Sequence, residues 1–91
     1  MATYRILSWR GIPSLLKVFP DEGRPKSVPL DEWFTAEIDR VAMREGLVGS
    51  DAYLEQFEWS EDLERPGSPE EVVTAVVAEL EAAWLPPSRH R

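Results

Sequence analysis

The sequence predicts an α+β domain in which two helices pack on one face of a small, mostly antiparallel sheet. Near the start of the chain lie two runs rich in β-branched and aromatic residues, joined by a short break. Two later segments repeat apolar residues at helical spacing, and each must bury its apolar stripe against another element. Because 91 residues form one modest core, residues 1–87 are expected to be a single domain.

The predicted sheet begins with strands at residues 3–9 and 14–19. A connection as short as the Gly- and Pro-containing break between them makes the two strands antiparallel neighbours. Residues 25–30 are candidates for a third strand. Pro25 and Pro29 cannot donate to a ladder, so this strand belongs at an edge. The predicted element order is β-β-(β)-α-β-α.

The first helix is predicted from Leu30 to Glu45. Asp31 and Glu32 lie in its first turn, where the helix dipole favours negative charge. Gly46 fits the left-handed position after the helix, and Leu47 can fold back on the last turn. One apolar stripe follows the helical spacing and is expected to face the sheet: Phe34, Ile38, Val41 and Ala42.

The segment after this helix has two interpretations. Ser50 and Asp51 form a turn, which can cap a short helical turn. Alternating residues then predict a strand at about 54–60, with three aromatic side chains in the core: Tyr53, Phe57 and Trp59. The alternative is a helical 47–60 segment, which gives a hairpin with three helices. Residues 61–67 are predicted to be a charged, exposed loop.

The second helix has the clearest start in the chain. Ser68 is the N-cap, Pro69 the first helical residue, and Glu71 completes a capping box. Pro86-Pro87 end the helix, and residues 88–91 are expected to be a flexible tail. The apolar stripe is Val73, Val77, Leu80 and Trp84, widened by Val72 and Val76.

The charge distribution is uneven. Residues 1–26 hold five basic and two acidic residues, so they carry +3 of the net −7, and the rest of the chain carries −10. A phosphate backbone needs clustered Lys and Arg, so no nucleic-acid partner is expected. The acidity favours solubility or a docking face for a basic partner. With no signal peptide, membrane span or cysteine, a cytoplasmic location and no membrane partner are expected.

The residue types exclude several kinds of chemistry. Without cysteine the chain holds no disulfide, zinc-thiolate or iron–sulfur site. The only histidine, His90, follows the second helix, so a Ser-His-Asp triad is not expected. Glu58, Glu61, Asp62 and Glu64 could bind Ca²⁺ or Mg²⁺, but their spacing is not that of an EF-hand, and a solvated acidic loop is the favoured interpretation. We therefore expect no catalytic residues, no metal and no cofactor.

Three stretches carry a family resemblance: YRILSWRGIPS, IDRVAMREGL and DAYLEQFEW. Together they resemble a small bacterial domain family described as a virulence factor domain, over roughly residues 3–84. The domain stands alone or lies beside NifU-like and HEAT-repeat domains in conserved virulence factor proteins. The resemblance implies an accessory role in cofactor or Fe–S protein maturation, and stand-alone members are associated with methyl-transfer metabolism.

Two surfaces are predicted to bind a partner. The first is the turn at residues 9–13, since Trp is a common interface anchor and an adjacent Arg can stack or pair with a carboxylate. The alternative is that Trp9 belongs to the core. The second surface is the acidic strip at residues 55–64. The candidate partner-binding residues are Trp9, Arg10, Ile12, Pro13, Glu58 and Glu61.

The sequence favours a non-catalytic accessory subunit that docks onto a larger cytoplasmic enzyme or assembly factor. Its protein partner and its oligomeric state stay open. One alternative is a small-ligand binder or enzyme, with a pocket in which Arg5 or Arg10 meets a buried carboxylate. Another is an acidic inhibitor or mimic that covers a basic surface, whose binding weakens steeply with salt.

Overall fold

The computed structural model describes residues 2–86 and has the predicted α+β architecture. The predicted flexible tail and His90 lie outside these residues. No helix within 2–86 is long and apolar enough to cross a bilayer. The strands are β1 (Ala2–Trp9), β2 (Ile12–Phe19), β3 (Lys26–Pro29), β4 (Phe57–Trp59) and β5 (Leu63–Arg65). The helices are α1 (Glu32–Arg44), α2 (Asp51–Glu55) and α3 (Pro69–Trp84).

The sheet is antiparallel, with β3, β2 and β1 side by side and both β4 and β5 on the remaining edge of β1. Strand β4 pairs with the end of β1, and β5 pairs with its start. Between them Ser60 continues the pairing. Its N–H donates to the Ile6 carbonyl at 2.8 Å, and its Oγ accepts the Ile6 N–H at 2.9 Å. The predicted third strand forms, and it lies at an edge as its prolines require.

The buried side chains form two clusters, one under each long helix. Both helices pack on β2, and they contact each other through Phe34 and Trp84, whose ring centres are 6.5 Å apart. Partly buried Val77 and Leu80 pack against both clusters. The α1 cluster is Trp9, Ile12, Leu30, Phe34, Ile38 and Ala42. The α3 cluster is Ala2, Leu16, Val18, Val72 and Val76.

Strand β1 contributes alternate sides to the two clusters. Ala2, Tyr4 and Ile6 pack with the α3 cluster, whereas Trp9, of opposite parity, lies in the α1 cluster. The register of the β1–β2 hairpin shifts between Leu7 and Ser8. Such a register shift increases the local twist of the strands. The two clusters are not separate, because the helices above them touch each other.

Helix α1 begins two residues later than predicted. Asp31, which was expected inside the first turn, is the N-cap, and its Oδ1 accepts the Trp33 N–H at 2.8 Å. At the other end of α1, Gly46 has φ +70° and the Leu47 N–H donates to the Ala42 carbonyl at 2.8 Å, the pattern expected of a glycine-terminated helix.

The capping box of α3 is also present. Ser68 Oγ accepts the Glu71 N–H at 3.2 Å, and Glu71 Oε1 accepts the Ser68 N–H at 3.1 Å. These hydrogen bonds satisfy two of the N–H groups that a helix start leaves unpaired.

Three local predictions were wrong. Helix α2 occupies most of the segment from 51 to 56, so the strand begins only at Phe57. The expected loop at 61–67 contains β5. Trp59 is 45% exposed and Trp84 36% exposed, so neither is a core residue. The four-residue spacing of Tyr53 and Phe57 fits a helix as well as a strand, which explains the first error.

Candidate functional site

Trp9, the predicted contact residue, is completely buried. Its Nε1–H donates to the Tyr53 carbonyl at 2.8 Å, and the two ring centres are 5.6 Å apart. Ile12 is 7% exposed and Pro13 is also buried. The core interpretation of this segment is therefore correct, and its buried side chains present no surface to a partner. Arg10 is the one of the four predicted turn residues that stays exposed.

Arg10 and Gly11 form the two-residue turn between β1 and β2. Both have positive φ, +48° and +87°, as a type I′ hairpin turn requires. Glycine adopts this region freely, but a side chain such as that of Arg10 rarely does. The guanidinium lies 5.9 Å from the centre of the Trp9 ring and 3.7 Å from Glu45 Oε2. The turn therefore holds a cation on the surface at the cost of local strain.

Arg10 borders an open cleft of about 420 Å³, here called the turn cleft. Glu58 lines the same cleft, so the fold brings together one residue from each of the two predicted surfaces. Glu61 is exposed but does not line the cleft. Among residues 2–86 no polar or charged side chain is buried. The pocket with a buried carboxylate that the ligand-binding alternative predicts is thus not formed here. The cleft is lined by Ile6, Ser8, Arg10, Gly11, Gln56, Glu58, Trp59 and Ser60.

The acidic strip does not assemble a cation site in the described part of the chain. No group of three or more His, Cys, Asp or Glu side chains is placed to hold a metal ion there. Asp62 instead pairs with the Arg5 guanidinium.

Burying Trp9 positions a different surface. The carbonyl of Tyr53 accepts the Trp9 hydrogen bond, and the Tyr53 ring packs edge-on against Phe57 at 5.7 Å. These contacts fix α2 against the end of the sheet. Tyr53 then lines a groove of about 360 Å³ between α1 and α2, here called the corner groove, with Asp39, Met43, Val48 and Gly49.

Two of the three most exposed large apolar side chains of the described residues line the corner groove, and the third lies on α2 next to Tyr53 in the sequence. Met43 is 70% exposed and Val48 60% exposed, and Leu54 on α2 is 67% exposed. Their sequence positions did not predict a surface. A signal was available at Met43, which lies outside the stripe that α1 buries. Clustered exposed apolar side chains mark interaction surfaces more often than isolated ones do.

The corner groove is acidic as well as apolar. Burial raises the pKa of the Tyr53 hydroxyl, and the charge and hydrogen bonding of Asp39 raise it further. The segment from 39 to 55 has four carboxylates and two arginines. One of these, Arg40, is occupied by a two-contact ion pair with Glu37. Among the carboxylates, Glu45 pairs with Arg10 and Asp39 is the one that lines the groove, so the groove combines apolar walls with one carboxylate.

A second surface, here called the outer face, lies on the sheet away from the α3 cluster. Its apolar side chains are half-buried except that of Trp59, which is exposed. Arg5 and Lys17 are directly opposite each other on β1 and β2. Lys17 Nζ lies 5.7 Å from the centre of the Phe19 ring and 5.9 Å from that of Trp59. The sequence neighbours of Trp59 are acidic, yet the fold places a cation beside it. The outer face comprises Arg5, Leu7, Leu15, Lys17, Phe19, Trp59, Asp62 and Glu64.

The edges of the sheet are poor docking sites. Strand β3 ends in a proline, and β4 and β5 have three residues each. Prolines and short strands block the addition of another strand. A partner must therefore use a face or a groove.

Comparison with known proteins assigns the chain to a family. No curated protein and no solved structure matches it significantly. The family model described as "Virulence factor" matches residues 7–88, most of the 91-residue chain. This match includes the last three residues of β1, strands β2 to β5 and all three helices. It covers the second and third segments of the resemblance in full and the first from Leu7 onward. The chain therefore belongs to the virulence factor domain family.

Proposed function

We propose that this chain is a non-catalytic accessory domain that docks onto a larger cytoplasmic enzyme or assembly factor through the corner groove. The observation that carries the proposal is the exposure of Met43 and Val48 on the walls of this groove, with Leu54 also exposed on α2, the helix that borders the groove through Tyr53. Leaving three large apolar side chains in water forfeits roughly 1.5–3 kcal/mol each compared with full burial. A protein partner that covers the corner recovers part of this free energy.

The chemistry of the corner defines the partner surface. Its walls accept an apolar side chain, and Asp39 lies in the same groove. The surplus carboxylates between residues 39 and 55 favour a basic residue next to that apolar anchor. The proposed partner therefore presents an apolar side chain flanked by Lys or Arg. This agrees with the docking interpretation of the acidic composition.

The experiment begins with the full chain as bait in soluble extract from its native cells, followed by mass spectrometry. A co-purifying protein is then made pure and titrated with the chain in solution. Met43→Asp should weaken binding at least tenfold, because it places charge in the apolar groove. Trp59→Asp is the matched control and should leave the affinity unchanged. Both positions are exposed, and thermal melts verify that both variants fold.

Salt dependence separates this proposal from the acidic-mimic alternative. Binding centred on an apolar groove persists when the ionic strength is raised to about 0.5 M, where charges in water are screened within a few ångströms. An acidic inhibitor that binds a basic surface mainly through charge loses most of its affinity over the same range. The docking proposal is wrong if no stoichiometric partner is found, or if the partner binds Met43→Asp as tightly as the native chain.

A further inference from the structure

We infer that two copies of this chain associate face to face through the outer face. The occupant of that surface is a second copy, and the association is isologous, so the same patch is used on both chains. The inference is independent of the corner groove. It depends on the composition, charge and size of the outer face.

The outer face is apolar beneath a layer of charge. Leu7 pairs with Leu15 across the hairpin and with Trp59 across the β1–β4 ladder, so these three side chains are neighbours. None of them belongs to the two core clusters of the described chain. Lys17 extends over the rings of Phe19 and Trp59. Long cationic side chains commonly shield apolar surface in this way while their charged ends stay in water.

Charge favours self-association through this surface in particular. The whole chain carries −7, so most pairs of its surfaces repel each other. The outer face has two cations, Arg5 and Lys17, and two carboxylates, Asp62 and Glu64, so these four groups give it no net charge. Glu64 shares this face because it pairs with Thr3 on β1. A second copy can therefore approach here without building up like charge.

A second copy supplies the carboxylate partner that Lys17 does not have among residues 2–86 of its own chain. Its cross-strand neighbour Arg5 is also a cation, and like charges at such positions are unfavourable. Asp62 compensates Arg5. No carboxylate of residues 2–86 lies within 4.0 Å of the Lys17 ammonium. Its recorded contacts are with the rings of Phe19 and Trp59. An approaching copy brings the carboxylates of its own outer face to this cation.

The area of the outer face limits the strength of this dimer. The face is three strand positions wide, formed by β2, β1 and the β4–β5 edge, and at about 4.8 Å each over eight residues of about 3.3 Å it has at most roughly 380 Å² on each copy. The total of about 760 Å² is below the roughly 1,000 Å² of a stable specific interface, so the dimer is a weak and transient one. The sheet edges are blocked, so stacking of faces about 10 Å apart is the available geometry. A dissociation constant in the micromolar range or weaker is expected.

Sedimentation equilibrium and light scattering of the full chain, from about 1 µM to 1 mM, test the inference. The mass should rise with concentration from that of one 10.4 kDa chain toward twice that value. Trp59→Asp and Lys17→Glu should each weaken association at least tenfold. The first places charge against the apolar part of the face, and the second makes the face acidic. Met43→Asp, at the corner groove, is the matched control and should leave self-association unchanged.

A single 10.4 kDa species throughout this range overturns the inference. So does a dimer that Met43→Asp disrupts while Trp59→Asp and Lys17→Glu do not, since this pattern assigns self-association to the corner. Partner capture by the corner groove is measured separately. Either proposal can therefore fail while the other holds.

Discussion

Replacing Trp9 tests the central packing contact of the molecule. The side chain is fully buried, and its only polar atom donates to the Tyr53 carbonyl at 2.8 Å. Trp9→Ala leaves a large cavity between the sheet and α1, which should cost about 3–5 kcal/mol. A domain of this size has a total stability of about 5–10 kcal/mol, so this variant should be close to unfolding at physiological temperature.

Trp9→Phe tests the contribution of the hydrogen bond separately from that of the apolar ring contacts. Phenylalanine retains most of the apolar contact but leaves the Tyr53 carbonyl without its donor and the site slightly underfilled. The expected cost is about 1–2 kcal/mol. Tyr53 lines the corner groove, so the same variant should also weaken partner binding modestly. Trp9→Ala should lower partner binding more, because α2 loses its contact with the sheet.

Urea denaturation followed by far-UV circular dichroism gives the free energy of unfolding of both variants, and thermal denaturation with the same signal gives their Tm. At about 4–8 °C per kcal/mol for a domain of this size, Trp9→Ala should lower the Tm by at least about 12 °C. A loss below about 1 kcal/mol for Trp9→Ala would refute the placement of this side chain in the core. Equal losses for the two variants would show that the hydrogen bond, and not the packed area, dominates.

Three further predictions concern the turn and the cap of α3. Arg10→Asn should raise stability by about 0.5–1 kcal/mol in urea titrations, since asparagine tolerates the positive φ and the exposed pair with Glu45 contributes little. Ser68→Ala should cost about 1 kcal/mol in the same assay. Hydrogen bonds from Ser68 lower the pKa of Glu71, so its stabilising effect is present above its unfolded pKa and is lost as pH falls. Between about pH 5 and pH 3, Glu71→Gln should therefore lose less stability than the native chain.

Elements with strong local signals were predictable from the sequence. The capping residues Ser68 and Glu71 act within four positions of each other, so no tertiary contact is needed to locate the start of α3. Gly46 likewise determines the end of α1 through its own backbone conformation. The β1–β2 hairpin is similar, because both strands and the turn between them are contiguous.

Elements that depend on distant partners were not predictable. Strand β5 is a three-residue segment whose partner, the start of β1, lies about sixty positions earlier in the chain. Its sequence is mostly charged, so hydrophobic alternation gives no signal. The exposure of Trp59 also depends on distant parts of the chain. The sequence correctly places Trp59 and Phe57 on the same face of the strand, but different elements lie over the two side chains. Phe57 lies opposite Trp9 near α2, whereas Trp59 lies opposite Leu7 on the outer face.

The candidate site also depends on contacts between distant residues, so it was not predictable from local sequence signals. Sequence analysis associated Trp9 with binding because tryptophan is frequent at interfaces. In a small core, however, the largest side chain is also the most useful one to bury. The corner groove requires α1, the glycine-terminated turn and α2 to be placed together. Its apolar residues are separated in sequence and ordinary in type, so only the fold reveals that they share one surface.

The two proposals together predict an avidity effect. A dimer through the outer face leaves both corner grooves uncovered, since Met43, Val48 and Leu54 are not part of that face. Two grooves joined in a dimer bind an array of partner molecules more tightly than one groove does, when the chain is applied above its dimerisation constant and the spacing permits. Trp59→Asp should therefore weaken retention on a densely immobilised partner, measured by surface plasmon resonance. The same variant should leave the affinity for soluble, monomeric partner unchanged at concentrations below dimerisation. Equal retention of the variant and the native chain on the dense surface would show that the two grooves do not act together.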